Sequence, residues 1–299
     1  MKIILSNRGF MFEVDIIRVL CAFFVGYGIT LSGSLSQLTT NNSLASPSTL
    51  GMDGLSVVSL LVAQGLIVAK ISSLSSEFLS LIVFSIFFTL LAAIFLSLRP
   101  RDLWQYLNMK QIILLGLAFN LMVGAIFSVI QFMFIALNYE FPTGLWFGHF
   151  KHAQLSNLII LVVPCVMIWI YCLKNAAKFN AINLGVFVAQ GIGIDVEKFQ
   201  KINLLLSLLL TGIVVSFFGV FSLLGLVLPH VLRSLKFFKT DMRSEILYGP
   251  LLGGLLIAVI DLACYNFVFY GAELPVGMIS SVVGAFALIF VLLRSSIRI

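Results

Sequence analysis

The sequence predicts an all-α integral membrane protein, a bundle of about nine transmembrane helices. Of its 299 residues, 61% are hydrophobic and only 10% are charged, and the mean hydropathy is +1.13. Soluble domains carry about 25% charged residues, so this composition excludes them. No alternation of period two is present, which excludes an outer-membrane β-barrel. Because no hydrophilic block could fold separately, residues 1–299 are predicted to form a single membrane domain.

Apolar segments long enough to cross a membrane recur along the chain. A hydrocarbon core of about 30 Å needs about 20 residues of helix. The predicted spans lie near residues 15–36, 51–70, 77–97, 110–137, 153–173, 202–219, 246–268 and 276–293. A shorter segment at 228–238 is predicted to enter the membrane without crossing it.

Lys and Arg residues are distributed unevenly between the two sets of loops. Thirteen belong to one set: Arg99, Arg101, Lys110, Lys174, Lys178, Lys198, Lys201, Arg233, Lys236, Lys239, Arg243, Arg294 and Arg298. The other five are Lys2, Arg8, Arg18, Lys70 and Lys151. Since cytoplasmic loops carry the excess of Lys and Arg, we predict an outer N-terminus and a cytoplasmic C-terminus. The same asymmetry explains the net charge of +6 without a nucleic-acid partner.

Motifs for soluble enzyme chemistry are absent from the sequence. It contains no GxxxxGK[ST] phosphate loop, no HExxH and no GxSxG, so the chain cannot hydrolyse ATP by itself. His149 and His152 have a spacing that could hold a metal on a helix, but only two ligands are visible. An aromatic and histidine belt at the membrane surface explains them better. We therefore predict neither a catalytic site nor a metal or cofactor.

Polar residues at membrane depth are few and scattered: Gln37, Gln64, Asn120, Gln131 and Asp261. Ionisable groups inside membranes are costly and often mark function. Asp261, in LLIAVIDLACYN, could bond a neighbouring helix or relay protons. No intramembrane Lys, Arg or His is evident as its partner, so we favour the structural role. An ion-coupled secondary transporter remains the alternative class of function.

Four sequence blocks, in order from about residue 15 to the end, resemble the FecCD family of iron-chelate and vitamin B12 permeases. The first, GYGITLSGSLSQLTTNNSLASPSTLG, is similar to the family's opening motif, with Ser43 in place of a proline. NLGVFVAQGIGIDVEKFQK resembles its LGE loop, with Val186 in place of the glutamate. The last two are FFGVFSLLGLVLPHVLRSL and GAELPVGMISSVVG. The matching residues in these two include Gly225, Pro229, His230, Arg233, Glu273 and Pro275.

The resemblance implies a type II ABC importer permease in the inner membrane of a bacterium. Such permeases usually have ten helices, and here the first is apparently missing, which leaves nine. The implied partners are ABC ATPase subunits, a periplasmic or lipoprotein substrate-binding protein, a second permease subunit and membrane lipid. The implied cargo is an iron chelate of the ferric siderophore class, moved by alternating access, with haem or cobalamin as alternatives. No cofactor is implied.

The resemblance also assigns a translocation gate to a neutral polar segment between the first two spans. Small uncharged groups there would let a large chelate pass, whereas fixed charges would trap it. The alternative is an ordinary cytoplasmic turn, with Pro47 starting the next helix. The implied gate residues are Asn41, Asn42, Ser43, Leu44, Ser46 and Pro47.

Two further surfaces follow from the resemblance. ATPase coupling is expected in residues 183–201, where glycines favour two small helices on the membrane surface; an interfacial helix that only touches lipid is the alternative. The residues implied in coupling are Leu184, Gly185, Phe187, Ala189, Gly191 and Gly193. Binding-protein docking is expected at Arg18 and Asn266, with less charge than is usual in the family.

Overall fold

In its described part, the chain folds into a bundle of α-helices with a short β-hairpin. The computed structural model describes residues 9–43, 45–68, 79, 82–84, 87, 109–136, 147–151, 153–221, 224–234, 242–266, 268–269 and 272–296. The helices are α1 (Gly9–Thr40), α2 (Met52–Val68), α3 (Met109–Ala136), α4 (Leu155–Lys174), α5 (Ala176–Leu184), α6 (Val186–Gly191), α7 (Val196–Phe218), α8 (Leu224–Ser234), α9 (Met242–Asn266) and α10 (Val276–Ser296). The antiparallel strands β1 (Val268–Phe269) and β2 (Ala272–Glu273) form the hairpin.

The predicted all-helical membrane fold is confirmed. Within the described part of the chain, five helices are long and apolar enough to cross a membrane. They lie within α1, α3, α4, α7 and α9, and each overlaps a predicted span. Helices α2 and α10 contain shorter apolar segments, Met52–Ala63 and Val276–Ala287. Most of the span predicted at 77–97 lies outside the described residues. The short segment predicted at 228–238 overlaps α8 as far as residue 234, and its last four residues also lie outside the described part.

One predicted boundary is wrong. The polar residues from Asp195 to Lys201 were expected to form a surface segment before a span at 202–219, but α7 already begins at Val196. Asp195 is its N-cap, and its side chain accepts a hydrogen bond from the Lys198 backbone N–H. Lys201 pairs one turn back with Glu197 at 3.2 Å. Local capping and an i,i+4 ion pair therefore extend the helix through polar sequence.

Helix α1 lies at the centre of the bundle and packs against α4, α7, α8 and α9. Small hydroxyl residues connect it to α7. The Ser36 and Ser207 hydroxyls are 2.5 Å apart, and Thr211 donates to Ser32 at 3.0 Å. Such groups let helices approach closely and bond across a membrane interface. The apolar window of α7 is 78% buried and that of α3 only 17%, so α3 is a peripheral helix.

Contacts between helix ends define two ends of the bundle. Arg18, near the start of α1, meets Asp261, near the end of α9, and we call this the Arg18 end. Backbone bonds there join Gly277 to Gly148 (2.8 Å) and Gly148 to Val220 (3.0 Å). The opposite end, where α4 finishes, is the Lys174 end.

Candidate functional site

The turn segment, residues 41–51, leaves α1 at the Lys174 end and runs back into the bundle towards α2, where Ser46 lines a cavity together with Val220. Asn41 has a φ of +49°, a left-handed conformation that Asn tolerates well, and it ends α1. Ser46 and Thr49 bond each other reciprocally, because each backbone N–H donates to the other side chain (2.9 and 3.1 Å). Pro47 does not start α2, as the ordinary-turn alternative required, since that helix begins at Met52.

Among the predicted gate residues, Asn41, Asn42 and Ser43 reach solvent, whereas Ser46 and Pro47 are buried. The prediction for Leu44 lies outside the described residues. The backbone N–H of Asn42 donates to the Gln37 carbonyl at 3.1 Å. The segment is therefore solvent-accessible where it leaves α1 and packed where it approaches α2.

Asn120 on α3 connects the turn segment to α2. Its Oδ1 accepts a hydrogen bond from the Gly54 N–H at 2.7 Å, and its Nδ2 donates to the Ser48 carbonyl. One turn earlier, Gly116 lets the backbones meet, because a Cβ there would lie 2.5 Å from the Leu50 carbonyl carbon. The sequence marked Asn120 only as a scattered polar residue, and its partners lie too far along the chain to be predicted.

A cavity of about 520 Å³ opens between the turn segment, α2 and α3. Val57, Leu117 and Leu121 contribute apolar surface to its lining. Asp53 also lines it, and its carboxylate accepts a hydrogen bond from the Ser48 hydroxyl at 3.1 Å. The turn segment itself carries no charge, as expected, but the fold places this carboxylate beside it.

Residues of the third sequence block hold α8 against α1. The backbones of α1 and α8 meet at Gly33 and Gly225. A Cβ added at Gly33 would clash with the Gly225 carbonyl. The Gln37 side chain donates to the Leu226 carbonyl at 2.9 Å. Pro229 is buried within α8, and His230 is partly exposed.

Arg233, at the end of α8, forms a two-pronged ion pair with Glu245 on α9. Its Nε and Nη2 donate to the two carboxylate oxygens at 2.9 and 2.7 Å. Glu245 is only 4% exposed, and such a carboxylate needs a partner. Glu245 could not be predicted as a site residue, because nothing in the sequence between residues 233 and 245 indicates their contact.

Asp261 does have a cationic partner, so the expectation that it lacks one is wrong. Arg18 Nε donates to both of its carboxylate oxygens (3.2 and 3.0 Å), and Nη2 donates to one of them at 2.8 Å. The guanidinium also lies over the Tyr265 ring, 4.8 Å from its centroid. Opposite charges on α1 and α9 are invisible as a pair in the sequence. This geometry favours the structural role for Asp261.

The remaining predicted residues at the Arg18 end are separated from this pair. Asn266 is exposed and donates to the Leu262 carbonyl of its own helix at 2.7 Å. Glu273 belongs to β2, where its backbone pairs with Val268. The Pro275 carbonyl accepts from the Met278 N–H at 3.1 Å and so starts α10.

The predicted coupling residues lie at the opposite, Lys174 end. Two short helices form, but α5 lies almost entirely before the predicted segment 183–201, and α6 is the one short helix that falls within it. Gly185 joins them with a φ of +138°, and Gly193 ends the pair with a φ of +83°; L side chains rarely adopt such values. Ala189 is fully buried, whereas Leu184 and Phe187 are 77% and 89% exposed. A Cβ at Gly191 would meet nothing within 4 Å.

Comparison with known proteins decides the family. The FecCD transport family matches residues 4–294, almost the entire chain. The chain belongs to the FecCD transport family. It is 27% identical over 295 residues to the vitamin B12 import system permease protein BtuC of Yersinia pestis, covering 97% of this chain and 83% of BtuC. It is 28% identical over 288 residues to the hemin transport system permease protein HmuU of Yersinia pestis, with coverages of 93% and 81%.

Solved structures show the same fold. A structure described as an inward-facing conformation of a metal-chelate type ABC transporter matches with a TM-score of 0.78. The match is 20% identical and covers 98% of this chain and 90% of that one. PsaBC from Streptococcus pneumoniae, in complex with Fab, matches with a TM-score of 0.58 at 14% identity, covering 96% and 92%. At these identities the likeness establishes the type II ABC importer permease fold alone.

This FecCD permease is a multi-pass membrane subunit of an ABC importer and is not itself catalytic. An importer of this kind implies ATPase and binding-protein partners. Family membership leaves the ion-coupled secondary transporter without support.

Proposed function

We propose that this permease carries an iron chelate of the ferric siderophore class across the inner membrane of a bacterium by alternating access. The family match over residues 4–294 carries this proposal. The relatives' names supply related cargoes, vitamin B12 and hemin, and one structural match is described as a metal-chelate transporter. All of these cargoes hold a metal within a bulky organic ligand.

The turn segment is the inner gate in this proposal. Its side chains are hydroxyls and amides, which can bond each other when the path is shut and water when it is open. The reciprocal bonds between Ser46 and Thr49 hold the segment's own turn together, and in this proposal that turn is the shut arrangement. Asn120 fixes the segment to α3, so movement of α3 relative to α2 would move the gate.

The α5–α6 pair is the proposed docking site for the ATPase subunits. Phe187 is 89% exposed on a helix that is anchored by the buried Ala189. A rigidly held aromatic side chain is well suited to fill a pocket on a partner protein, because aromatic anchors dominate many interfaces. A helix that only touches lipid is the competing role for this segment.

We place the Lys174 end in the cytoplasm and the Arg18 end outside. Among the described residues, Lys174, Lys178, Lys198 and Arg243 lie at or beside the Lys174 end, as the positive-inside rule requires. This orientation puts the α5–α6 pair, and the point where the turn segment leaves α1, on the side where ATP is available.

A second permease subunit, identical or related, completes the path in this proposal. The sparsely buried α3 carries exposed Leu121 (67%) and Phe132 (70%). These side chains can face either lipid or a second subunit. Because α3 also lines the cavity, a partner placed against it would close the open side of that cavity.

Arg18 and Asn266 remain the proposed docking positions for the binding protein. The charge of Arg18 is compensated by Asp261, and Asn266 is uncharged. Charge complementarity mainly raises association rates and fixes register. Docking at these positions should therefore depend only weakly on salt concentration.

Uptake by the complete importer tests the cargo. The permease, its ATPase and its binding protein are reconstituted in vesicles and supplied with ATP and radiolabelled ferric hydroxamate, cobalamin or haem. The proposal predicts accumulation of the ferric chelate and little of the other two. Accumulation of cobalamin or haem in its place would assign the permease to that cargo.

A further inference from the structure

The cavity beside the turn segment contains one ionisable side chain among its described lining residues, Asp53. Its other polar groups include Ser46, Thr49, Asn120 and Ser128, all of them uncharged. Largely apolar cavities with a few convergent polar groups are typical binding sites. A carboxylate in this position gives the cavity a negative electrostatic potential.

Nothing in the described part of the chain neutralises Asp53. The Ser48 hydroxyl donates to it, and that group is neutral. The other two carboxylates discussed above, Glu245 and Asp261, each hold an arginine in a two-pronged pair. Asp53 also lies in the first turn of α2, where a negative charge suits the helix dipole. That role fixes its location but does not explain why it lines a cavity.

We propose that the cavity is a cation-preferring subsite whose selecting group is Asp53. Cationic groups and hydrogen-bond donors enter it readily, because the carboxylate and the neighbouring hydroxyl and amide oxygens accept from them. Strongly anionic groups are repelled in a space of low dielectric constant, where Coulomb forces are strong. Its class of ligand is therefore the positively charged or donor-rich part of a cargo molecule.

The subsite sets a preference among chelates, and this step rests on the proposed function. Ferric catecholates are strongly anionic, whereas ferric hydroxamates are uncharged or carry a cationic tail. A carboxylate beside the gate disfavours the former. The permease should therefore move hydroxamate chelates in preference to catecholate chelates that reach it equally well.

The charge preference can be measured without knowing the cargo. A single reporter cysteine is introduced by Ser128→Cys. The rate of its modification is measured with a cationic and with an anionic methanethiosulfonate reagent. The four native cysteines are buried, so the chain without the added cysteine gives the background rate. A sphere of 520 Å³ is about 10 Å across, close to the Debye length of about 8 Å at physiological salt. Asp53 therefore acts on a reagent anywhere in the cavity.

We expect the cationic reagent to react faster, and Asp53→Asn to reduce the cationic-to-anionic rate ratio by about fourfold or more. Asp53→Glu should keep the ratio high, and Asp195→Asn, at an exposed helix cap, should leave it unchanged. The reporter Gln190→Cys, on α6, should give a cationic-to-anionic rate ratio that Asp53→Asn does not change. Ala125→Cys serves as a second reporter in the cavity should Ser128→Cys impair folding.

An unchanged ratio in the Asp53→Asn variant would overturn the proposal. The proposal would also be overturned if neither reagent modified the reporter cysteine in the folded protein, because the cavity would then admit no ligand. Transport by the complete importer gives an independent arm, in which Asp53→Asn should narrow the preference for ferric hydroxamate over ferric catecholate. If the wild-type importer moves neither chelate, the iron cargo is wrong, while the labelling result still decides the subsite.

Discussion

Arg18 and Asp261 lie 243 residues apart in the chain and form a two-pronged ion pair between α1 and α9. The carboxylate is fully buried, and the guanidinium is covered by the ring of Tyr265. The pair joins the central helix to the helix it contacts most extensively. It therefore clamps the Arg18 end of the bundle.

Removing one partner of this pair should destabilise the permease more than removing both. Asp261→Ala takes away the carboxylate partner of a largely covered guanidinium, and breaking a buried pair costs about 3–5 kcal/mol. The double variant Arg18→Met/Asp261→Leu should recover most of this loss, because apolar side chains can fill the same space. Thermal unfolding in detergent measures both. Asp195→Ala is the matched control, with a cap worth about 1 kcal/mol. A single variant as stable as wild type would contradict the clamp.

The same double variant separates docking from folding. Arg18→Glu would place two carboxylates together and destabilise the packing of α1 against α9. Slower delivery of cargo in that variant could then come either from weaker docking or from this destabilisation. In Arg18→Met/Asp261→Leu the charges are removed as a pair. We expect association with the binding protein to change by less than about threefold at low salt, because the wild-type pair already has no net charge. A tenfold slower association would show that Arg18 acts directly in docking.

Asn120 should control the mobility of the turn segment. In Asn120→Leu the Ser48 carbonyl and the Gly54 N–H lose their partner, at a cost of about 1–3 kcal/mol for each buried group. Hydrogen exchange of residues 45–54 should accelerate, while exchange in α9 stays unchanged. Ser128→Ala, two turns along the same helix, is the control, since its hydroxyl bonds only the Gly124 carbonyl. Equal protection in both variants would rule out Asn120 as the anchor.

The helices were predictable from sequence because a membrane span needs about 20 apolar residues, whatever its neighbours are. The boundaries were harder to predict, as α7 shows. Asp195, Glu197 and Lys201 have the composition of a loop, yet a cap and an ion pair within one turn make them helical. The polar sequence at the start of α7 therefore does not indicate where the helix begins.

The contacts within the candidate site were not predictable, because they join residues distant in sequence. Asn120 reaches Ser48 across 72 residues, and no periodicity marks either of them. Asp53 stands two residues beyond a segment with no charge, so the sequence indicated a neutral gate. Only the fold shows that its carboxylate turns back to Ser48 and lines the cavity.

Topology is tested by labelling single cysteines at two exposed positions. Lys151 lies beside the Arg18 end, and Gln190 lies on α6 beyond the Lys174 end. A membrane-impermeant reagent added outside intact cells should label Lys151→Cys and spare Gln190→Cys until the membrane is opened. The reverse pattern would invert the proposed orientation.

Coupling to the ATPase is tested by two changes on α6. Phe187→Ala removes a side chain that is 89% exposed, and Gly191→Glu adds one where nothing lies within 4 Å, so neither should alter stability. Both should weaken copurification of the ATPase or reduce uptake per ATP hydrolysed, by about tenfold for a true anchor residue. Phe286→Ala, which removes a similarly exposed ring from α10, should have no effect. Normal copurification and uptake in both α6 variants would leave α6 as a helix that only touches lipid.

The source of energy for uptake tests the central claim most directly. Vesicles containing the permease, with or without its ATPase and binding protein, are supplied with labelled ferric hydroxamate and either ATP or an imposed proton or sodium gradient. We predict uptake only when ATP and both partner proteins are present, and no ATP hydrolysis by the permease alone. Uptake driven by an ion gradient through the permease by itself would contradict the account.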